Sequence, residues 1–179
     1  MRYFIFVLFL FASILAWSQQ LPFVFKGQVE NTDIGKHEAG VTISVVQAGS
    51  TLFSTSSASN GKYSLRGDIN YSTPFLVVFS KAGMVSKKVS FDLSKMNEED
   101  VPPGDVRPIE TLDMSLFKER DNVDFSFLDS QPVASFDWNP QGMHARLDAV
   151  ESNKIKTKIL KLLAEADKNK AEAEQKYQA

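Results

Sequence analysis

The chain has 179 residues, 43% of them hydrophobic and 23% charged, with 20 Lys plus Arg against 22 Asp plus Glu and no cysteine. The missing cysteine excludes thiol redox enzymes, cysteine proteases, cysteine-ligated zinc or iron sites and the lipid anchor of a bacterial lipoprotein. A slight acidic excess argues against a general nucleic-acid binder, which would carry a basic surplus.

The first element in chain order is a leader over residues 1–18. Met1-Arg2 is a short positive start, Tyr3 to Leu15 is apolar except for Ser13, and Ala16-Trp17-Ser18 places small residues at the two positions a signal peptidase reads. Cleavage before Gln19 is expected. Thirteen residues are too few to cross a hydrocarbon core of about 30 Å as a helix, which argues against a permanent anchor. The mature chain would hold 161 residues, with 19 basic against 22 acidic side chains once Arg2 is removed, a net charge of −3. That length can bury a core without disulfide support.

Residues 19–116 alternate as strands do. Leu21, Phe23, Phe25, Gly27 and Val29 share one face of a first strand, and Val41, Ile43 and Val45 one face of a second that ends at Ala48-Gly49. Leu52 and Phe53 mark a third, and Asn60-Gly61 supplies the positive φ angles of a tight turn before Tyr63 and Leu65 in a fourth. Phe75-Leu76-Val77-Val78-Phe79 is apolar on both faces, the pattern of a central strand covered on each side. Val85, Val89, Phe91 and Leu93 share the next face, with Lys87 as its odd member, and Leu112, Met114 and Leu116 share the last. Seven strands at this spacing predict an all-β Greek-key sandwich.

Four stretches carry a resemblance. Phe25-Lys26-Gly27-Gln28-Val29, Gly40-Val41-Thr42-Ile43-Ser44-Val45, Ser59-Asn60-Gly61-Lys62-Tyr63-Ser64-Leu65 and Phe79-Ser80-Lys81-Ala82-Gly83-Met84-Val85 stand in the order of the signatures of the carboxypeptidase regulatory-like domain. Residues 23 to 113 therefore resemble that transthyretin-like sandwich of the bacterial cell envelope. The resemblance implies that Gly61 marks a hairpin turn and that Tyr63 faces the core; Met84 stands where many relatives have an aromatic. It also implies no catalytic residues, because such modules accompany peptidases or outer-membrane receptors without an activity of their own.

Beyond Leu116 the composition changes. In residues 117–142 a charged link precedes two aromatic runs, Phe125 with Phe127 and then Ala134, Phe136 and Trp138, and Asn139-Pro140-Gln141-Gly142 is a turn. These aromatics either add strands to the sandwich or dock on a partner. Residues 143–179 read as an amphipathic helix in which Ile155, Ile159, Leu162, Leu163 and Ala166 form a stripe, continued by Leu147 and Val150. Lys154, Lys156, Lys158 and Lys161 flank the stripe, and Glu172 with Lys176 offers an i,i+4 pair. Such a helix packs on its own sandwich, pairs with a second helix in a homo-oligomer, or makes peripheral contact with an anionic membrane.

Catalytic patterns are missing from the sequence. His37 and His144 lack the spacing of a zinc site, and no Gly-x-Ser-x-Gly elbow, Walker loop or dinucleotide fingerprint occurs. Glu98, Glu99, Asp100 and Asp105 are the one local concentration of hard oxygen ligands, with a calcium loop and a solvated acidic loop as the alternatives. The sequence thus predicts a non-enzymatic exported protein without catalytic residues, cofactor or metal, periplasmic or outer-membrane associated. It would act as a structural or adaptor module that binds another envelope protein through residues 117–179, with Phe125, Phe127, Phe136, Trp138, Ile155, Ile159, Leu162 and Leu163 as the contact residues. The alternative is a ligand-binding module for a glycan, a peptide or a small hydrophobic molecule.

Overall fold

A computed structural model describes residues 20–97, 107–108, 111–139 and 144–178. The leader and the acidic loop from Glu98 to Asp105 lie outside the described residues. The rest forms two β-sheets packed face to face and one C-terminal helix.

The first sheet is organised around β1 (Gln20–Asn31). On one side it pairs antiparallel with β5 (Lys62–Asn70) and, past the end of β5, with β2 (Lys36–His37), and on the other it pairs parallel with β8 (Arg107–Pro108) and β9 (Met114–Leu116). The second sheet has six strands. Its order is β11 (His144–Leu147), β10 (Ala134–Asn139), β7 (Lys87–Asp92), β6 (Phe75–Ser80), β3 (Thr42–Gln47) and β4 (Ser50–Ser56). Alternation decides which side chains meet between the sheets: Phe25 and Val29 from β1, Ile43 and Val45 from β3, Val77 and Phe79 from β6 and Phe91 from β7 are fully buried. At ~25 cal/mol per Å² of apolar surface, each such phenylalanine stabilises the fold by roughly 2–3 kcal/mol.

All seven expected strands are present, as β1, β3, β4, β5, β6, β7 and β9. The described residues hold eleven, or nine without the two-residue β2 and β8. The main additions, β10 and β11, come from the segments after Leu116. Two further expectations change. Ala48 and Gly49 both have positive φ and make the tight β3–β4 hairpin, whereas of Asn60-Gly61 only Gly61 does, at φ 72°. Because β4 and β5 lie in different sheets, that second turn is a crossover between sheets and not a hairpin. In β6, Phe75, Val77 and Phe79 are buried, but Leu76 and Val78 on the outer face are only half-buried, so the strand is not covered on both sides.

Two signature residues have physical reasons for their identity. A Cβ on Gly27 would stand 2.2 Å from Leu112 O, so only glycine lets the 112 backbone approach β1. Tyr63 is buried, as expected, and its hydroxyl donates to the same Leu112 oxygen at 2.6 Å. Burial pushes that phenol well above its ordinary pKa.

Candidate functional site

The chain after Leu116 builds a second, smaller core. Val85 N–H donates to Phe117 O at 2.9 Å and Met84 bridges Lys118, which carries the chain across the end of β7. Asp124 Oδ1 then accepts the Ser126 N–H at 2.8 Å and starts a short 3-10 turn, Ser126–Asp129. Aspartate does here what it commonly does at turns: its carboxylate accepts an N–H two residues on that has no backbone partner. The turn sets Phe125 and Leu128 inward beside Phe117, with Val85 beneath and Ile155 and Ile159 of the helix above.

After the turn, Val133 N–H donates to Lys88 O at 2.8 Å and β10 runs parallel to β7. This register puts Phe136 opposite Phe91, which stands opposite Phe75 on β6. The three rings stack across three strands at centroid spacings of 5.2 and 4.9 Å with interplanar angles of 8°. Such offset pairs contribute roughly 0.5–1.5 kcal/mol each beyond the area they bury. Trp138 also turns inward and joins the main core, where its indole Nε1 has no hydrogen-bond partner.

The helix α1, Ala149–Gln178, begins later than the sequence suggests. Residues 144–147 pair with β10 instead of coiling, and Asp148 is the cap: its Oδ1 accepts the N–H groups of Val150 and Glu151, both at 3.1 Å. The correction was available in the sequence, because Asp148-Ala149-Val150-Glu151 has the spacing of a capping box. Ile155, Ile159 and Ala166 are buried and Leu162 and Leu163 half-buried, whereas Leu147 and Val150, expected to extend the stripe, are exposed.

The eight side chains proposed as partner contacts therefore face the chain itself. Phe125, Trp138, Ile155 and Ile159 are buried, and Phe127, Phe136, Leu162 and Leu163 are partly buried against one of the two cores. The structure brings six of them together in the small core and sends Phe136 and Trp138 to the large one. The same packing covers Ile155, Ile159 and Ala166, the centre of the apolar stripe. Three of the four flanking lysines have partners: Lys158 Nζ lies 3.6 Å from the Phe127 ring centroid, Lys154 pairs with Glu151 at 3.2 Å and Lys161 with Glu165 at 4.0 Å. Glu172 pairs backward with Lys168 at 3.8 Å and not with Lys176.

Arg120 is the polar fastener that sequence reading did not single out. Its guanidinium hydrogen-bonds Asp33 at the end of β1, and its Nε lies 3.8 Å from Asp167 on α1. Burial pushes the Asp33 carboxyl up, but the Arg120 hydrogen bond, the Lys118 N–H and the two positive charges outweigh it and hold the group below its ordinary value. No sequence signal pairs positions so far apart. Beyond this contact, residues 167–176 of α1 are exposed on every side. An open cleft of about 590 Å³ runs between Lys118–Asn122 and the helix at Ala166, Asp167, Asn169, Lys170 and Ala173. Among the described residues no group of three or more His, Asp or Glu side chains could hold a metal ion. No described helix is long and apolar enough to cross a membrane.

No family model matches the chain, and no curated protein does. Several solved structures are similar in part. A 3-chlorocatechol 1,2-dioxygenase from Rhodococcus opacus is 15% identical over 55% of this chain and 60% of its own, with a TM-score of 0.35. A catechol 1,2-dioxygenase from Acinetobacter radioresistens is 14% identical over 56% and 53%, with a TM-score of 0.36. A shaft pilin from Lactobacillus rhamnosus GG is 9% identical over 55% and 45%, with a TM-score of 0.34. The chain thus spans 60% or less of each of these proteins, and their activities are not carried over to it.

Proposed function

We propose that the chain is a non-enzymatic, exported cell-envelope protein in which the sandwich is a rigid mount and α1 is an arm read by another envelope protein. The observation that carries this is the division of the helix. Its first half is docked by Ile155, Ile159 and Ala166, while residues 167–176 stand exposed and charged. A thirty-residue helix spans roughly 45 Å at 1.5 Å per residue, so the undocked part reaches well beyond its last buried contact. We take the sandwich to be of the Greek-key, transthyretin-like kind of the carboxypeptidase regulatory-like domain. Gly27, Gly61 and Tyr63 support that assignment, and so does the return of β6 beside β3 after β4 and β5.

The partner contacts then move from the buried aromatics to the exposed helix end. In-cell crosslinking followed by mass spectrometry tests this with a chain lacking residues 168–179. The expected result is loss of crosslinks to one envelope protein while thermal unfolding is unchanged. Crosslinks that persist at full yield would overturn it. Export is checked separately: the N-terminal residue of the protein recovered from the envelope fraction should be Gln19.

The cleft beside Arg120 favours one alternative, a module that binds a polar glycan or peptide, since eight of its ten lining residues carry charged or amide side chains. Thermal-shift screening should then show a rise in midpoint with glycans or charged peptides, and none with small hydrophobic molecules.

A further inference from the structure

The β3–β4 hairpin differs from the remaining surface in charge. From Val41 to Gly61 there are twenty-one residues without Asp, Glu, Lys, Arg or His, nine of them Ser or Thr, in a chain that is 23% charged. β4 is an edge of the six-stranded sheet, and Ser50, Thr51, Leu52, Ser54 and Ser56 are all exposed. Ser57 N–H donates to Val41 O at 2.9 Å on the β3 side. Hydrogen-bonding direction alternates along a strand, so Thr55 and Phe53 also face β3, and Ser54 and Ser56 turn their N–H and C=O groups outward. β5 lies alongside, held by the Ala58–Lys62 turn and by Phe53 against Gly67, yet no backbone hydrogen bond joins Ser54 or Ser56 to it among the described residues.

Natural sheets commonly guard an open edge with lysine, proline or an inward charge. β4 has none of these; its one irregularity is the bulge at Leu52, between the pairs Val45–Phe53 and Val46–Thr51. By contrast the edge of the other sheet, β5, bears Lys62, Arg66 and Asp68. We propose that β4 is a self-association edge, through which two copies of the chain pair antiparallel about a two-fold axis at Ser54 and join their six-stranded sheets into one of twelve.

The choice of a second copy follows from the chemistry of the strand. An axis at Ser54 sets Ser54 opposite Ser54 and Phe53 opposite Thr55, so residues of the same face meet and no register conflict arises. Hydroxyl side chains directly opposite one another can hydrogen-bond, and a neutral strand brings no like charges together. A charged strand from another protein would find no complement here.

Sedimentation equilibrium of the purified chain should show a dimer at concentrations on the order of 100 µM, and Ser54→Lys should raise its Kd at least about tenfold, since two lysines then face each other. Ser54 is exposed, so circular dichroism and the thermal midpoint of that variant should match the parent. The chain has no cysteine, which permits a second measurement: Ser54→Cys should oxidise to a disulfide-linked dimer, while Ser135→Cys on β10 should not. A chain that stays monomeric at that concentration, or a dimer indifferent to Ser54→Lys and not crosslinked through Ser54→Cys, overturns the proposal.

Discussion

Lys87 occupies a position where the alternation of β7 calls for an apolar side chain. It is 9% exposed, its Nζ donates to Ser115 O at 2.5 Å, and it lies 4.9 Å from the Phe117 ring centroid. Burial lowers its pKa to about 8. The sign of the resulting pH dependence follows from linkage: between pH ~8 and ~10.4 the unfolded chain keeps this proton and the folded chain has released it, so stability rises with pH across that window. Below about pH 8 both states are protonated and the penalty of the buried charge is present in full. Lys87→Met should therefore gain about 1–3 kcal/mol in urea unfolding at pH 7, a gain that shrinks toward zero near pH 10. A gain of equal size at both pH values would mean that packing, not charge, is the cause. Gly27 makes the opposite kind of prediction. Gly27→Ala drives a Cβ into Leu112 backbone and should cost about 1–3 kcal/mol by the same measurement. Both positions stand out in the sequence, Lys87 as the odd member of an apolar face and Gly27 as part of a signature. Their partners do not, because Ser115 and Leu112 belong to a distant segment that only the folded sheets bring near.

α1 is a helix whose two halves have different reasons to exist. The first is held by packing, the second only by propensity and by exposed pairs such as Lys168–Glu172 and Lys170–Glu174, at 3.8 and 4.0 Å. Both pairs place lysine before glutamate, the weaker orientation at i,i+4, so they add at most a few tenths of a kcal/mol. Truncating the docked half should be costly: Ile155→Ala or Ile159→Ala is expected to remove about 2–4 kcal/mol in chemical denaturation, against under about 0.5 kcal/mol for Leu160→Ala, which is 56% exposed. Equal effects at Ile159 and Leu160 would show that the helix is not seated on Phe117 and Phe125. The apolar stripe was legible because its period is a property of consecutive residues. The strand before the helix was less so: residues 144–147 are fixed by pairing with β10, and β10 in turn by a parallel register with β7, some forty-five residues earlier. Parallel pairing over such a distance leaves no local pattern to read.

For the whole molecule, the boundary at Leu116 is where sequence and structure part most. Read along the chain, about sixty residues follow a finished sandwich. Folded, Phe136 and Trp138 belong to the large core and Phe117 anchors the small one, so the sandwich is completed by the segment that follows it. Composition shifts at that point because the charged link Lys118-Glu119-Arg120-Asp121 stands before the next strand, and composition does not register a third stacked ring arriving on Phe91. Two truncations separate these views. A chain ending at Leu116 would expose Phe91 and the apolar side of Val85; losing the Phe136 and Trp138 contacts alone is worth roughly 3–5 kcal/mol each by large-to-small analogy, comparable to the 5–15 kcal/mol that holds a typical domain. It should aggregate or unfold near room temperature. A chain ending at Asp167 keeps both cores and the Arg120 contact, and should unfold in one cooperative transition within about 0.5 kcal/mol of the full chain. Fluorescence of Trp138 reports the large core and far-UV circular dichroism reports both sheets and helix; in the chain ending at Asp167 the two curves should coincide. Separate transitions would show instead that the small core and its helix fold independently of the sandwich on which they sit.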